Sequence, residues 1–127
     1  MNTYEICSWD GLLGRTHWHL GDETRVDGAD YHVGQDEVGH IHLYAEAHVV
    51  LPVTVVSALV RTGLGTPFQW SRNVVVYGID HEADVEHAVW LFRLAYDHLA
   101  GEKTRALIER VGHRAGSAGG PRESTAG

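Results

Sequence analysis

The sequence predicts an α+β domain in which a mostly antiparallel sheet carries two or three helices packed on one face. Three observations predict it. The first fifty residues alternate polar and apolar side chains between clusters of glycine and aspartate, as strands and hairpins do. After Pro52 the apolar residues recur at helical spacing instead. A β-branched run over residues 73–79 then reads as a buried strand and leads into a long helical pattern.

The clearest strand pattern covers residues 37–50. Its even-numbered positions from 40 to 48 are polar, namely His40, His42, Tyr44, Glu46 and His48. Its odd-numbered positions from 41 to 49 are apolar, namely Ile41, Leu43, Ala45, Ala47 and Val49. Because successive side chains of a strand point to opposite faces, we predict that the apolar set packs on the helices. The polar set then lies on the other face of the sheet.

Three helices are predicted after this strand. Thr54 stands at the start of the first, Asp80 stands at the N-cap position of the second, and Gly112 closes a short third one. The second helix has a broad apolar stripe that is predicted to be central to the core. Its outer face is expected to be solvated and to carry three histidines, His81, His87 and His98.

The domain organisation follows from length and composition. The chain has 127 residues, of which 43% are hydrophobic, which suits one globular domain. Residues 113–127 contain almost nothing apolar larger than alanine. We therefore predict a single α+β domain over residues 1–112 and a flexible tail over residues 113–127.

Charge and hydropathy exclude two classes of partner. The formal net charge is -7, with 17 acidic against 10 basic residues, so we expect no nucleic-acid partner. The longest apolar stretch is too short to span a bilayer, and the N-terminus does not resemble a signal peptide, so we expect no membrane partner. Cys7 is the only cysteine, which fits a reducing compartment. We expect a cytoplasmic protein.

The strand face that carries the histidines is the candidate site. Side chains two residues apart on one strand face lie about 6.5–7 Å apart, so His40 and His42 can converge on one ion and Glu46 can join them. Histidine with carboxylate suits Zn, Fe, Mn or Cu. The spacing from Gly34 through Glu46 also satisfies the first motif of cupins, but Val53 stands where that motif has a glycine. The spacing therefore favours a His-His-Glu ligand set rather than a cupin barrel.

Two other interpretations of this face stay open. His40 and His42 can act as acid–base groups without a metal, with Tyr44 or Glu46 on the same face orienting them, because histidine titrates near neutral pH. The face can also be an ordinary solvated surface, since histidine and tyrosine tolerate partial burial. His48, at the end of the predicted strand, is interpreted as a structural residue.

Three ordered blocks carry a family resemblance. They are EVGHIH at 37–42, LP at 51–52 and DVEHAVWLFRLAY at 84–96. Together they resemble the luciferase domain family, a group of small bacterial and fungal domains with an acid-x-Gly-His-x-His block. The chain departs from the family pattern where Phe68-Gln69 follows Pro67 and where Asn73 opens the buried strand. The resemblance implies that Gly39-His40-x-His42 is a family signature, without assigning its role.

The leading functional hypothesis is an enzyme of bacterial specialised metabolism. It acts on an organic small molecule through His40 and His42, as metal ligands or as acid–base groups, and its reaction type is undetermined. The alternative is a non-catalytic domain whose histidine face binds a ligand or a partner chain. A homodimer of two copies of this chain is a further possibility that the sequence leaves open.

Overall fold

The computed structural model describes residues 6–19, 22–43 and 45–126, which form a six-stranded sheet and three helices. The strands are β1 (Leu12–His19), β2 (Asp22–Val33), β3 (Asp36–His42), β4 (Glu46–Val50), β5 (Thr66–Phe68) and β6 (Ser71–Gly78). The helices are α1 (Val53–Arg61), α2 (Glu82–Leu99) and α3 (Thr104–Ala126). The strand order is β1-β2-β3-β4-β6-β5, with every neighbouring pair antiparallel. The predicted α+β class is confirmed.

The strand predicted over residues 37–50 is wrong as a single element, because the structure divides it into the hairpin β3–β4. The Ala45 amide donates a hydrogen bond to the His42 carbonyl (3.0 Å), and Ala45 has a φ of 64°. A three-residue loop that ends in a left-handed residue is a common hairpin connection. Leu43 lies in this loop and is 70% exposed, so its predicted place in the core is also wrong.

One face of the sheet packs against the helices. Ala47 and Val49 on β4 are fully buried, and α2 packs against β3 and β4. The Phe92 ring of α2 meets the Tyr31 ring of β2 edge-on, with centroids 5.6 Å apart. This approach requires Gly39 on β3, because a Cβ there would lie 2.8 Å from the Phe92 ring and closer still to backbone. His40, His42, Glu46 and His48, which pair with one another across the hairpin, therefore point away from the helices.

The helix starts differ from the predicted ones by one or two residues. Pro52, rather than Thr54, is the N-cap of α1. His81, rather than Asp80, is the N-cap of α2. The Asp84 carboxylate accepts hydrogen bonds from the amides of Asp80 and His81, each at 2.9 Å. That contact satisfies donors which a helix start otherwise leaves unpaired, and it anchors the turn between β6 and α2.

The last helix is longer than predicted. α3 continues past Gly112 to Ala126, while Leu107 and Val111 on it are buried and the helix packs against α1. The flexibility of residues 113–127 stays a prediction, as does the domain boundary at residue 112. No helix in the described part of the chain combines the length and the apolar character needed to cross a membrane.

Candidate metal site on the sheet

Three histidines meet on the sheet face that points away from the helices. β3 carries His40 and His42, and β4 carries His48, which lies directly opposite His40 in the antiparallel pair. Directly opposed residues point to the same face, and so do residues two apart on one strand. The hairpin therefore places the three imidazoles on one side, where they form what is called below the His cluster.

The ring nitrogens of the His cluster are close enough to converge on one ion. One ligand atom from each histidine lies within 4.8 Å of the other two. Nitrogens bound to one zinc ion at 2.0–2.1 Å are about 3.3 Å apart, so binding an ion would draw the three rings closer together. The side chains of His40, His42 and His48 are 20%, 12% and 7% exposed. The cluster is therefore largely shielded from water.

Each imidazole of the His cluster also contacts a carboxylate. The pairs are His40 Nδ1 with Glu37 (3.0 Å), His42 Nδ1 with Asp27 (3.2 Å) and His48 Nε2 with Glu46 (2.7 Å). An ionised carboxylate only accepts hydrogen bonds, so each ring donates its N–H to it and the tautomer of the neutral ring is set. Metal-binding histidines have this arrangement, in which the carboxylate orients the ring and raises its basicity as a ligand.

Burial favours the neutral form of His42. Desolvation lowers the pKa of His42 below its ordinary value of 6.5, and the neighbouring His40 lowers it further, while the hydrogen bond to Asp27 opposes the shift. A neutral imidazole carries the lone pair that a metal ion needs. The surroundings of His42 therefore favour the neutral ring, which is the form that can bind a metal ion.

The donor set and its neighbours define the chemistry that fits. Three imidazoles suit Zn, Fe or Cu better than Mg or Ca. A tetrahedral ion with three protein ligands keeps one position for water or substrate, as catalytic zinc sites do. The Phe68 ring of β5 lies 5.0 Å from the His48 ring and gives the cluster an apolar neighbour.

The sequence interpretation placed His40 and His42 in the site but set His48 aside as structural. In one continuous strand, residues 40 and 48 would lie about 27 Å apart. The hairpin instead brings them directly opposite each other. Glu46, predicted as a metal ligand, accepts a hydrogen bond from His48 and therefore orients that imidazole ring.

One prediction and two further histidines fall on parts of the chain that the structure does not describe. Tyr44, predicted as a catalytic partner, lies outside the described residues, and its role stays a prediction. The side chains of His17 and His19 are likewise outside the described part of the chain. The His cluster is therefore argued without them.

A cavity of about 1270 Å³ lies on the helix side of the sheet, between α2 and α3. His87 in its wall is 8% exposed, so its predicted place on a solvated face is wrong. Its Nε2–H donates to the Leu64 carbonyl (2.8 Å), and Arg114 donates to its Nδ1 (3.2 Å). Burial lowers the pKa of His87, the hydrogen bond to Leu64 opposes this, and the charge of Arg114 adds to the lowering. Its ring stacks on Trp90 with centroids 5.3 Å apart.

Comparison with known proteins gives a match to a family model. Residues 35–95 match the family model described as the luciferase domain. This segment contains the whole His cluster together with Glu37 and Glu46, whereas Asp27 lies before it. No curated protein and no solved structure matches the chain.

Proposed function

The chain belongs to the luciferase domain family through residues 35–95, and from this premise we propose that it is a small metal-dependent enzyme. In this proposal His40, His42 and His48 bind one divalent transition-metal ion, and the enzyme acts on an organic small molecule of bacterial specialised metabolism. The observation that supports it most directly is the convergence of three imidazoles, each contacting its own carboxylate.

The ligand set points to Lewis-acid chemistry. A zinc-type ion held by three neutral imidazoles keeps its positive charge and one exchangeable position. Such an ion polarises a substrate oxygen or lowers the pKa of a bound water toward neutrality. Within the chain, the carboxylates of Asp27, Glu37 and Glu46 hold the imidazoles in place, so that the ion meets a preorganised set of ligands.

The alternative of a solvated face is less well supported. A surface histidine gains little from burial and tends to keep its ring in water, because hydration favours its charged form. Here His48, taken as a whole residue, is only 5% exposed, and its ring contacts the Phe68 ring. Three adjacent imidazoles would also repel one another if protonated, whereas one shared cation lets all three stay neutral.

Compartment and assembly are parts of the same proposal. We place the enzyme in the cytoplasm, because the single cysteine, Cys7, is an exposed free thiol that suits a reducing compartment. We keep the homodimer as a proposal that sedimentation of the purified protein can check.

Metal analysis of protein purified without a His-tag tests the proposed function. We expect about one equivalent of Zn, Fe, Mn or Cu per chain. Re-addition of that metal to stripped protein should raise the thermal midpoint, because an ion that binds only the folded state stabilises it. His40→Ala and His42→Ala should each lose both effects, while His113→Ala, an exposed histidine on α3, should keep them.

The metal hypothesis fails if the untagged protein holds less than about 0.1 equivalent of any transition metal and shows no thermal shift with Zn, Fe, Mn or Cu. An acid–base role for the same histidines would then have to be tested on a substrate. Large destabilisation of the metal-free His40→Ala variant would instead indicate a structural role for that ring.

A second candidate function is non-catalytic binding of an organic ligand, and the cavity between α2 and α3 favours it. Its wall offers an aromatic surface at Trp90, with the Arg114 guanidinium 4.7 Å above the ring centroid. Ligand-induced quenching of tryptophan fluorescence that is abolished by Trp90→Leu and unaffected by His48→Ala would support it.

A further inference from the structure

We propose a second divalent-cation site beside the His cluster, formed by Asp30, His32 and Glu37; as a neighbour of the first ion, it rests on the proposed function. One ligand atom from each of these residues lies within 4.8 Å of the other two, and all three residues are partly buried. Two carboxylates and one imidazole are a harder ligand set than three imidazoles. The site therefore suits Mn²⁺ better than the His cluster does.

A β-bulge assembles this second ligand set. The register of β2 and β3 shifts after Tyr31, so that His32 pairs with Glu37 and Val38 is the extra residue on β3. A bulge of this kind turns the side chain beyond it to the other face of the sheet. Glu37 consequently reaches the face that carries His40, three residues away, and contacts the His40 ring at 3.0 Å.

Glu37 connects the two sites. One of its oxygens accepts the hydrogen bond from His40, and a Glu37 oxygen is also the ligand atom that lies within 4.8 Å of those of Asp30 and His32. Asp30 is the directly opposed partner of His40 on β2, so the second ligand set borders the His cluster. The connection runs through an imidazole and a carboxylate, so the two ions would be farther apart than the 3.5–4 Å of bridged two-metal centres. Each site can then be loaded separately.

The charge on this face is consistent with two cations. Among the described side chains of β2, β3 and β4, the carboxylates on this face are Asp27, Asp30, Glu37 and Glu46, and none of those side chains is a lysine or an arginine. One divalent ion in the His cluster would offset only half of those four negative charges, whereas two ions would balance them. Arg15 on β1 is the directly opposed neighbour of Asp30 and brings positive charge to the edge of the second site.

Sequential loading with two metals tests the second site. Metal-free protein is given one equivalent of Zn²⁺ and is then titrated with Mn²⁺, while the EPR signal of unbound Mn²⁺ reports how much is bound. We expect the wild type to bind one Mn²⁺ per chain with the zinc retained. His32→Ala and Asp30→Asn should weaken Mn²⁺ binding at least tenfold and leave the zinc in place. Arg15→Gln should tighten Mn²⁺ binding, because it removes a nearby positive charge.

The controls separate the two proposals. Asp36→Asn changes an exposed carboxylate next to Glu37 and should leave both metals bound. His48→Ala should lose zinc and keep Mn²⁺, so loss of one metal does not imply loss of the other. Asp30→Asn is nearly isosteric, so it provides a folded variant for the same test if His32→Ala does not fold.

Two results would overturn the second site. One is zinc-loaded wild type that binds no Mn²⁺, and the other is a folded His32→Ala or Asp30→Asn variant that binds Mn²⁺ as tightly as wild type. In both cases zinc binding would still support the His cluster. Conversely, Mn²⁺ that binds through Asp30 and His32 in protein that takes up no zinc would support the second site and contradict the proposed function.

Discussion

The His cluster and His87 are two environments for weakly exposed imidazoles on opposite faces of the same sheet. In the His cluster every ring contacts a carboxylate, through Glu37, Asp27 and Glu46. His87 has a backbone carbonyl on one ring nitrogen and a guanidinium on the other. The cluster is thus surrounded by negative charge, whereas His87 lies beside positive charge.

The difference in partners separates a candidate ligand from a packing residue. An N–H held by a carboxylate orients the ring and makes its other nitrogen a better ligand. Both nitrogens of His87 are engaged by protein groups, and its ring stacks on Trp90. Burial alone does not distinguish the two environments, because His48 is 5% and His87 is 8% exposed. The charge of the partners distinguishes them.

The largest expected effect is loss of metal on removal of His48. His48→Ala takes away one of three ligands, and we expect the zinc bound after metal-free protein is given one equivalent to fall from about one equivalent to less than 0.1. The matched change on the other face, His87→Phe, should keep the metal. Elemental analysis of both untagged proteins makes the comparison. Equal metal content in the two variants would mean that the His cluster does not hold the ion.

The fold class could be predicted from the sequence because the spacing of apolar residues changes from two to helical near Pro52. The hairpin could not, because Ala45 adopts the left-handed conformation that glycine or asparagine usually signals. The polar and apolar alternation of the sequence runs through the turn without interruption, since the hairpin leaves His42 directly opposite Glu46 and on the same face. The missed hairpin is also why His48 was set aside.

Other features depended on contacts between distant parts of the chain. The predicted solvent exposure of His87 follows from the periodicity of α2 alone. In the structure Arg114 of α3 contacts the His87 ring, which the periodicity of α2 cannot show. The second ligand set depends on the extra residue Val38, which strict alternation does not anticipate. A glycine in a helix costs only about 1 kcal/mol, which burial of residues such as Val111 can offset, so Gly112 did not end α3.

A smaller effect is expected when a carboxylate behind the cluster is changed. Glu46→Gln keeps the shape of the side chain but removes the negative charge of the group that accepts the hydrogen bond from His48. Changes of this kind typically cost 10–100-fold in metal affinity. Competition with a chromogenic chelator would measure the loss, with Glu109→Gln on α3 as a matched control away from the cluster. An unchanged affinity would show that Glu46 does not support the ligand, and a complete loss of metal would indicate that it binds the ion directly.

The smallest expected effect concerns pH and the helix side of the sheet. The pKa of His87 is lowered in the folded chain, so between that pKa and the ordinary value of 6.5 the unfolded chain binds more protons. The contribution of the neutral His87 ring to the free energy of unfolding is therefore complete above about pH 6.5. It is lost as the pH falls through that window, by at most about 1.4 kcal/mol per pH unit. His42 acts in the same direction in metal-free protein, because its pKa is lowered too.

Urea unfolding of metal-free wild type and His87→Phe between pH 5.5 and 8 would isolate the part due to His87. We expect the variant to be less stable at pH 8, because the Leu64 carbonyl loses its donor, at a cost of about 1–3 kcal/mol. That deficit should shrink as the pH falls, since the variant no longer has a ring to protonate on unfolding. A deficit that stays constant from pH 8 to pH 5.5 would mean that His87 does not titrate on unfolding, and one that grows would mean that Arg114 fails to hold the ring neutral.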